Sequence, residues 1–135
     1  MRSPAQTWAK LIGFVLVAAG IVGFFYSSAF ASPGKVDAVF GILDVNGWHN
    51  LVHIATGVLA LAFSRAHSSA RTFCLLLAVA YAGVAIWGFV VGDGGTILGF
   101  LPVNTEDNLL HTLIAVVSLV VGLATPAVPA PSAVE

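Results

Sequence analysis

Charge is the scarcest thing in this sequence. Lysine and arginine number 5 and aspartate and glutamate 6 among 135 residues, or 8%, where a soluble domain carries about a quarter. So few ionic groups cannot coat a water-facing surface. With 59% hydrophobic residues and a mean hydropathy of +0.99, lipid is the expected solvent. The formal net charge of -1 leaves no basic footprint for nucleic acid, and no Lys/Arg run along the chain marks a phosphate or lipid-headgroup site. Cysteine is nearly missing as well. Cys74 stands alone in an apolar run, which excludes an intramolecular disulfide and a CxxC metal site, and it is expected to pack as a small hydrophobe. There is no HExxH, no GxSxG and no nucleophile beside a base, so the sequence does not read as an enzyme.

What the chain does have is long apolar stretches. Four of them, about residues 8–26, 47–63, 72–91 and 105–124, approach the roughly 20 helical residues that cross a bilayer. Residues 1–124 are therefore expected to form one all-α membrane domain of four transmembrane helices. The tail, residues 125–135, has Pro126, Pro129 and Pro131 and is expected to be disordered. Arg2, Lys10, Arg65 and Arg71 lie on one side of this arrangement, whereas Asp37, Asp44, Asp93, Glu106 and Asp107 lie on the other with Lys35 alone. Basic residues favour the cytoplasm, so both termini are expected inside. A rival reading makes Met1 to Ser32 a cleavable signal peptide, with Ala29-Phe30-Ala31 before Ser32.

An internal repeat weighs against that rival. GILDVNGWHNLVH from Gly41 lies over GFLPVNTEDNLLH from Gly99, with Gly, Leu, Val, Asn, Asn, Leu and His coincident. Ahead of them, GIVGF at 20–24 resembles AIWGF at 85–89. The chain thus reads as two copies of one helix hairpin, inserted in the same direction and related by a pseudo-twofold axis near the membrane normal. Asn46 and Asn104 precede the second and fourth spans and are expected to be helix N-caps. Glu106 and Asp107 suit the helix dipole, and Asn104 with Asp107 approximates a capping box. Trp48 reads as an interfacial anchor. The small residues Ala18, Ala19, Gly20, Gly23, Ala80, Ala82, Gly83 and Ala85 are expected to permit close helix approach. Tyr81 reads as core or lipid-facing bulk, Asp93 as part of a turn and His67 as a solvated residue.

Asn50 with His53, and Asn108 with His111, are one helical turn apart and so share a face. Each His lies roughly 10 Å past its helix start, a depth at which ionisable groups turn inward and find partners. The symmetry would bring both pairs together near the axis. Three readings follow. In the leading one these pairs form interhelical hydrogen bonds in a non-enzymatic structural or accessory component, within a larger membrane complex or a homo-oligomer. In the second, His53 and His111 are haem ligands, or with His49 they hold a divalent metal. The third is a proton or small-solute pathway.

VNGWHNLVHIATGVLAL, the Arg-flanked turn and ILGFLPVNTEDNLLHTLIAVV together resemble the bacterial four-helix membrane family catalogued as domain of unknown function 4383. The resemblance runs from about Trp8 to Gly122. It implies a small multi-pass protein of the bacterial cytoplasmic membrane, with its Asn-x-x-His positions at Asn50 and His53 and at Asn108 and His111.

Overall fold

The computed structural model describes residues 1–30 and 36–128. Its elements run α1 (Pro4–Phe24), β1 (Asp37–Val39), β2 (Leu43–Val45), α2 (Gly47–Phe63), α3 (His67–Val91), β3 (Gly95–Ile97), β4 (Leu101–Val103) and α4 (Thr105–Ala124). Three of the helices, α1, α3 and α4, are long and apolar enough to cross a membrane. The second, α2, has 17 residues.

Two of the expected boundaries move, the start of α1 through its capping chemistry and that of α3 without a side-chain cap. Ser3 accepts from the Gln6 N–H while the Gln6 side chain answers to the Ser3 N–H, and Pro4 occupies the first helical position. So α1 begins before the apolar run does. Likewise α3 takes in most of the polar turn from His67 onward, because a helix follows its backbone hydrogen bonds and not its oiliest residues. The segment α1 is part of the core: Ala5, Ala9, Ile12 and Leu16 pack with Ala60, Ala70, Cys74 and Leu77. Of the signal-peptide outline, Ala31 and Ser32 lie outside the described residues.

The chain is not all-α. Each connection at the far end of the helices holds a small antiparallel hairpin, β1–β2 and β3–β4, in the same register. Their turns have positive φ at Phe40 (54°) and Gly41 (73°), and at Leu98 (54°) and Gly99 (78°). Those left-handed residues sit in three-residue loops, where Ile42 N–H donates to the Val39 carbonyl at 3.1 Å and Phe100 N–H to that of Ile97 at 3.2 Å. A non-glycine residue in this region costs about 1 kcal/mol. Three-residue strands with Phe and Leu at that position give little sequence signal. The hairpins bury Val39, Val45, Ile97 and Val103 against the helix ends.

Packing follows the repeat. The helix α1 packs chiefly on α2, and α3 on α4. Backbones approach closely where glycine allows: a methyl on Gly57 would lie 2.7 Å from the Gly13 carbonyl, and one on Gly20 would lie 2.5 Å from that of Asn50. At the hairpin end the same device appears twice. The Asn50 carboxamide oxygen abuts Gly23, and the Asn108 oxygen abuts Gly88, so a methyl at either glycine would overlap it. By contrast Ala18, Ala19, Ala80 and Gly83 are exposed, and they do not mediate helix contact. An apolar face holds small residues on both sides, and only the register of the hairpins decides which are inside.

At the opposite end, Thr125 is fully buried and its hydroxyl accepts from the Ala5 N–H at 3.1 Å, while Arg71 Nε donates to its carbonyl at 2.9 Å. The Pro126 carbonyl meets His67 Nε2 at 2.7 Å. The tail's first two residues are thus tied down, and His67 is half-buried with a partner instead of freely solvated. Residues 129–135 lie outside the described residues. Gly23→Ala and Gly88→Ala should each destabilise the protein by about 1–3 kcal/mol through overpacking, whereas Gly83→Ala, which meets nothing within 4 Å, should leave the melting temperature in detergent unchanged or higher.

A histidine cluster under two hairpins

Asn46 and Asn104 have two jobs each, of which the sequence discloses one. The Asn46 oxygen caps α2 by accepting from the His49 N–H at 2.9 Å, and the Asn104 oxygen caps α4 by accepting from the Asp107 N–H at 2.9 Å. Each amide nitrogen then reaches into the other copy: Asn46 Nδ2 donates to the Phe100 carbonyl at 2.6 Å, and Asn104 Nδ2 to the Ile42 carbonyl at 2.7 Å. Phe100 and Ile42 occupy the same place in the repeat. The two capping residues therefore cross-link the copies reciprocally. Trp48 adds to this joint. Its Nε1 donates to the Phe30 carbonyl at 2.6 Å, and its ring meets Phe30 and Phe100 edge-on, centroids 5.1 and 5.7 Å apart.

The expected Asn-His pairs separate. Asn50, fully buried, donates to the Ser27 carbonyl at 2.8 Å and stays within its own helix pair, as Asn108 does against Gly88. The histidines turn the other way. His49, His53 and His111 gather between the copies with one ring nitrogen from each within 4.8 Å of the others. His49 Nε2 and His53 Nε2 are 3.2 Å apart, and the His111 ring lies 6.1 Å from His49 and 6.3 Å from His53 between centroids. One turn of helix separates Asn from His, yet the offset of i to i+3 is enough to divide them between two neighbours.

Tyr81 belongs to this site. Its ring stands edge-on to His111 at 5.4 Å, and with Val52, Val84 and the β3–β4 residues Ile97, Leu101, Pro102 and Val103 it encloses a cavity of about 60 Å³ beside the three imidazoles. Nothing in the sequence distinguishes Tyr81 from other apolar bulk, because its role depends on α3 meeting α4. On the other side, His53, His111 and Asp107 head an apolar groove of about 460 Å³ between α1 and α4.

The copies differ where it matters chemically. Asp107 stands in the repeat where His49 stands, and Pro102 where Asp44 stands. Asp44 N–H donates to Asp107 Oδ2 at 3.1 Å. Proline has no N–H, so the equivalent place opposite His49 offers a carbonyl only, and the Pro102 and Asp44 carbonyls approach that ring. They do so without full hydrogen-bond geometry, and Nδ1 of both His49 and His111 is buried with no partner among the described residues. A donor thus faces a carboxylate in one copy, and carbonyls face an imidazole in the other. Asp107 is spent on Asp44, so the Asn104–Asp107 pair is a one-way cap and not a capping box. Asp93 Oδ1 accepts from both the N–H and the hydroxyl of Thr105, at 2.7 and 2.8 Å, so it caps α4 besides lying in its turn. Burial, then Asp93 and Glu106, raise the pKa of Asp44, while an Asn104 hydrogen bond opposes the rise. Its charged form therefore costs folding stability as pH rises.

Asn46→Asp separates the two jobs of that residue, since a carboxylate still caps α2 but cannot donate to Phe100. It should lower stability by about 1–3 kcal/mol at neutral pH, and Asn46→Ser should cost less because it sets no charge against a carbonyl. Thermal unfolding in detergent reads both.

Comparison with known proteins gives a family and no activity. No curated protein and no solved structure matches the chain. A family model, the domain of unknown function DUF4383, matches residues 6–124. That span takes in nearly all of the four helices and both hairpins, with the three histidines inside it, and the chain belongs to the DUF4383 family.

Proposed function

We propose that this is a four-span protein of the bacterial cytoplasmic membrane, both termini inside, that holds one divalent transition-metal ion between its two repeats through His49, His53 and His111. The carrying observation is the gathering of three imidazole nitrogens within 4.8 Å. Zinc–imidazole bonds of about 2.0–2.1 Å at tetrahedral angles set neighbouring ligand nitrogens about 3.3 Å apart. His49 Nε2 and His53 Nε2 are 3.2 Å apart. Imidazole suits zinc, copper, nickel and iron, and carbonyls near the other side of a ligating ring favour the tautomer that frees its inner nitrogen. Between two neutral imidazoles the same 3.2 Å is a hydrogen bond, which accounts for this pair but gives the third imidazole, His111, no part in it.

Haem suits the site poorly. The His49 ring crowds the His53–His111 pair from the side, 4.5 Å from His53 and 6.1 Å from His111 between centroids, where a macrocycle held by those two residues would extend. The adjoining space of about 60 Å³ is large enough for water-sized molecules. It accommodates an ion with a small fourth ligand. Packing is part of this reading, since Asn50 and Asn108 secure each helix pair while the imidazoles join the pairs.

Four spans require α2 to cross although it is 17 residues long. That is roughly 25 Å against about 30 Å of hydrocarbon. Arg65 at its end can snorkel, and local thinning of the bilayer covers a shortfall of this size. The repeat supports the crossing, because α2 and α4 bear the same caps and the same Asn-x-x-His.

Titration of the detergent-purified protein with Co²⁺ tests the metal site. One ion per chain with the intense visible bands of a tetrahedral complex is expected, weakened in His53→Ala or His111→Ala by more than the roughly 10–100-fold that losing an outer partner of a ligand costs, and unaltered in His67→Ala. Uptake below one equivalent, or equal loss in the His67 variant, would contradict it. A cytoplasmic reporter fused after Glu135 should be active; activity of a periplasmic one would refute the orientation.

A further inference from the structure

The basic residues that look scattered in the sequence converge in space. Arg2, just ahead of α1, Lys10, in the second turn of α1, and Arg65, from the turn after α2, line one cleft of about 330 Å³ together with Gln6, Ser64 and Leu61. No acidic residue lines it. The described acidic residues Asp37, Asp44, Asp93, Glu106 and Asp107 all belong to the hairpin end, a helix length or about 30 Å away, well beyond the screening length of physiological salt. Among the described residues, three cations therefore share a cleft without a counter-charge. The convergence is built: Gln6 Nε2 donates to the carbonyls of Ser64 and Arg65 at 3.3 and 3.2 Å, fixing the turn that carries Arg65 against the first turn of α1. Such a cluster is invisible along the chain because Arg65 lies more than fifty residues from Arg2 and Lys10 and reaches them only through that turn.

We infer that this cleft binds the phosphate of an anionic phospholipid headgroup. Like charges gathered at one point are relieved by an anion, and guanidinium groups pair with phosphate oxygens through two parallel N–H donors. The source is lipid because the cleft sits at the ends of two helices and is floored by Leu61, where an acyl chain would continue along the apolar surface. This placement rests on the membrane-spanning reading above. The site also distinguishes the two ends of the protein: the hairpin end, rich in carboxylates, repels the same headgroup that the turn end attracts.

The test is lipid retention in nanodiscs of mixed dioleoyl-phosphatidylglycerol and dioleoyl-phosphatidylcholine, read by native mass spectrometry after extraction. The wild-type chain should retain phosphatidylglycerol selectively. Each charge removed should lower its affinity about fivefold, so Arg2→Gln/Lys10→Gln/Arg65→Gln should lose the preference, whereas Arg2→Lys/Arg65→Lys, which preserves the charge, should keep it. Equal retention of both lipids by the wild type, or an undiminished preference in the triple variant, would overturn the assignment. So would thermal protection by inorganic phosphate equal to that by phosphatidylglycerol, since the site would then serve a soluble anion. Both leaflets of a nanodisc carry the same lipid, so the result is independent of insertion direction. A wrong orientation would appear in the reporter fusion alone.

Discussion

Two asparagines hold the two halves of this protein to each other. In an apolar chain, an amide that caps a helix with its oxygen still has a nitrogen to satisfy, and leaving it without an acceptor in a low-dielectric place is costly. Asn46 and Asn104 resolve this by donating across the repeat to Phe100 and Ile42. Because each asparagine also fixes the start of its own helix, one pair of residues sets both the phase of α2 and α4 and the distance between the copies. The histidine arrangement depends on that phase: a rotation of either helix by one residue, about 100°, would carry its imidazole out of the shared space.

The hairpins are the acceptor side of this joint. Their carbonyls at residues 42 and 100 are presented by turns whose left-handed residues are unusual for Phe40 and Leu98. Strain of this kind persists where the surroundings determine it, and here the surroundings include a hydrogen bond from the opposite copy. The same hairpins carry Asp44 and Pro102, whose different backbone capacities match Asp107 and His49. A duplicated frame has thus been made chemically unequal at one layer: three imidazoles and one carboxylate stand where strict symmetry would place four imidazoles or two of each group.

Much of this was legible in the sequence, for physical reasons that differ from residue to residue. Apolar length and the cap asparagines mark α2 and α4, since both signals are local. The repeat announces that His53 and His111 are equivalent. What could not be read is direction. Asn50 and His53 lie three residues apart on one face, and only the close approach of Gly23 and Gly88 reveals that the asparagines turn to their own partner helices. The hairpins are local but too short to leave a pattern, whereas the role of Tyr81, the second donation of each cap and the cationic cleft arise from contacts between distant segments. No local pattern encodes them.

The central claim is that the imidazoles of α2 and α4 meet between the copies. Solid-state NMR of the protein labelled with ¹³C and ¹⁵N at histidine alone, in lipid bilayers, measures this directly. Side-chain cross-peaks should link His111 to both His49 and His53, rings whose centroids lie 6.1 and 6.3 Å away, with none to His67. A spectrum in which His49 and His53 correlate with each other but neither reaches His111 would contradict it.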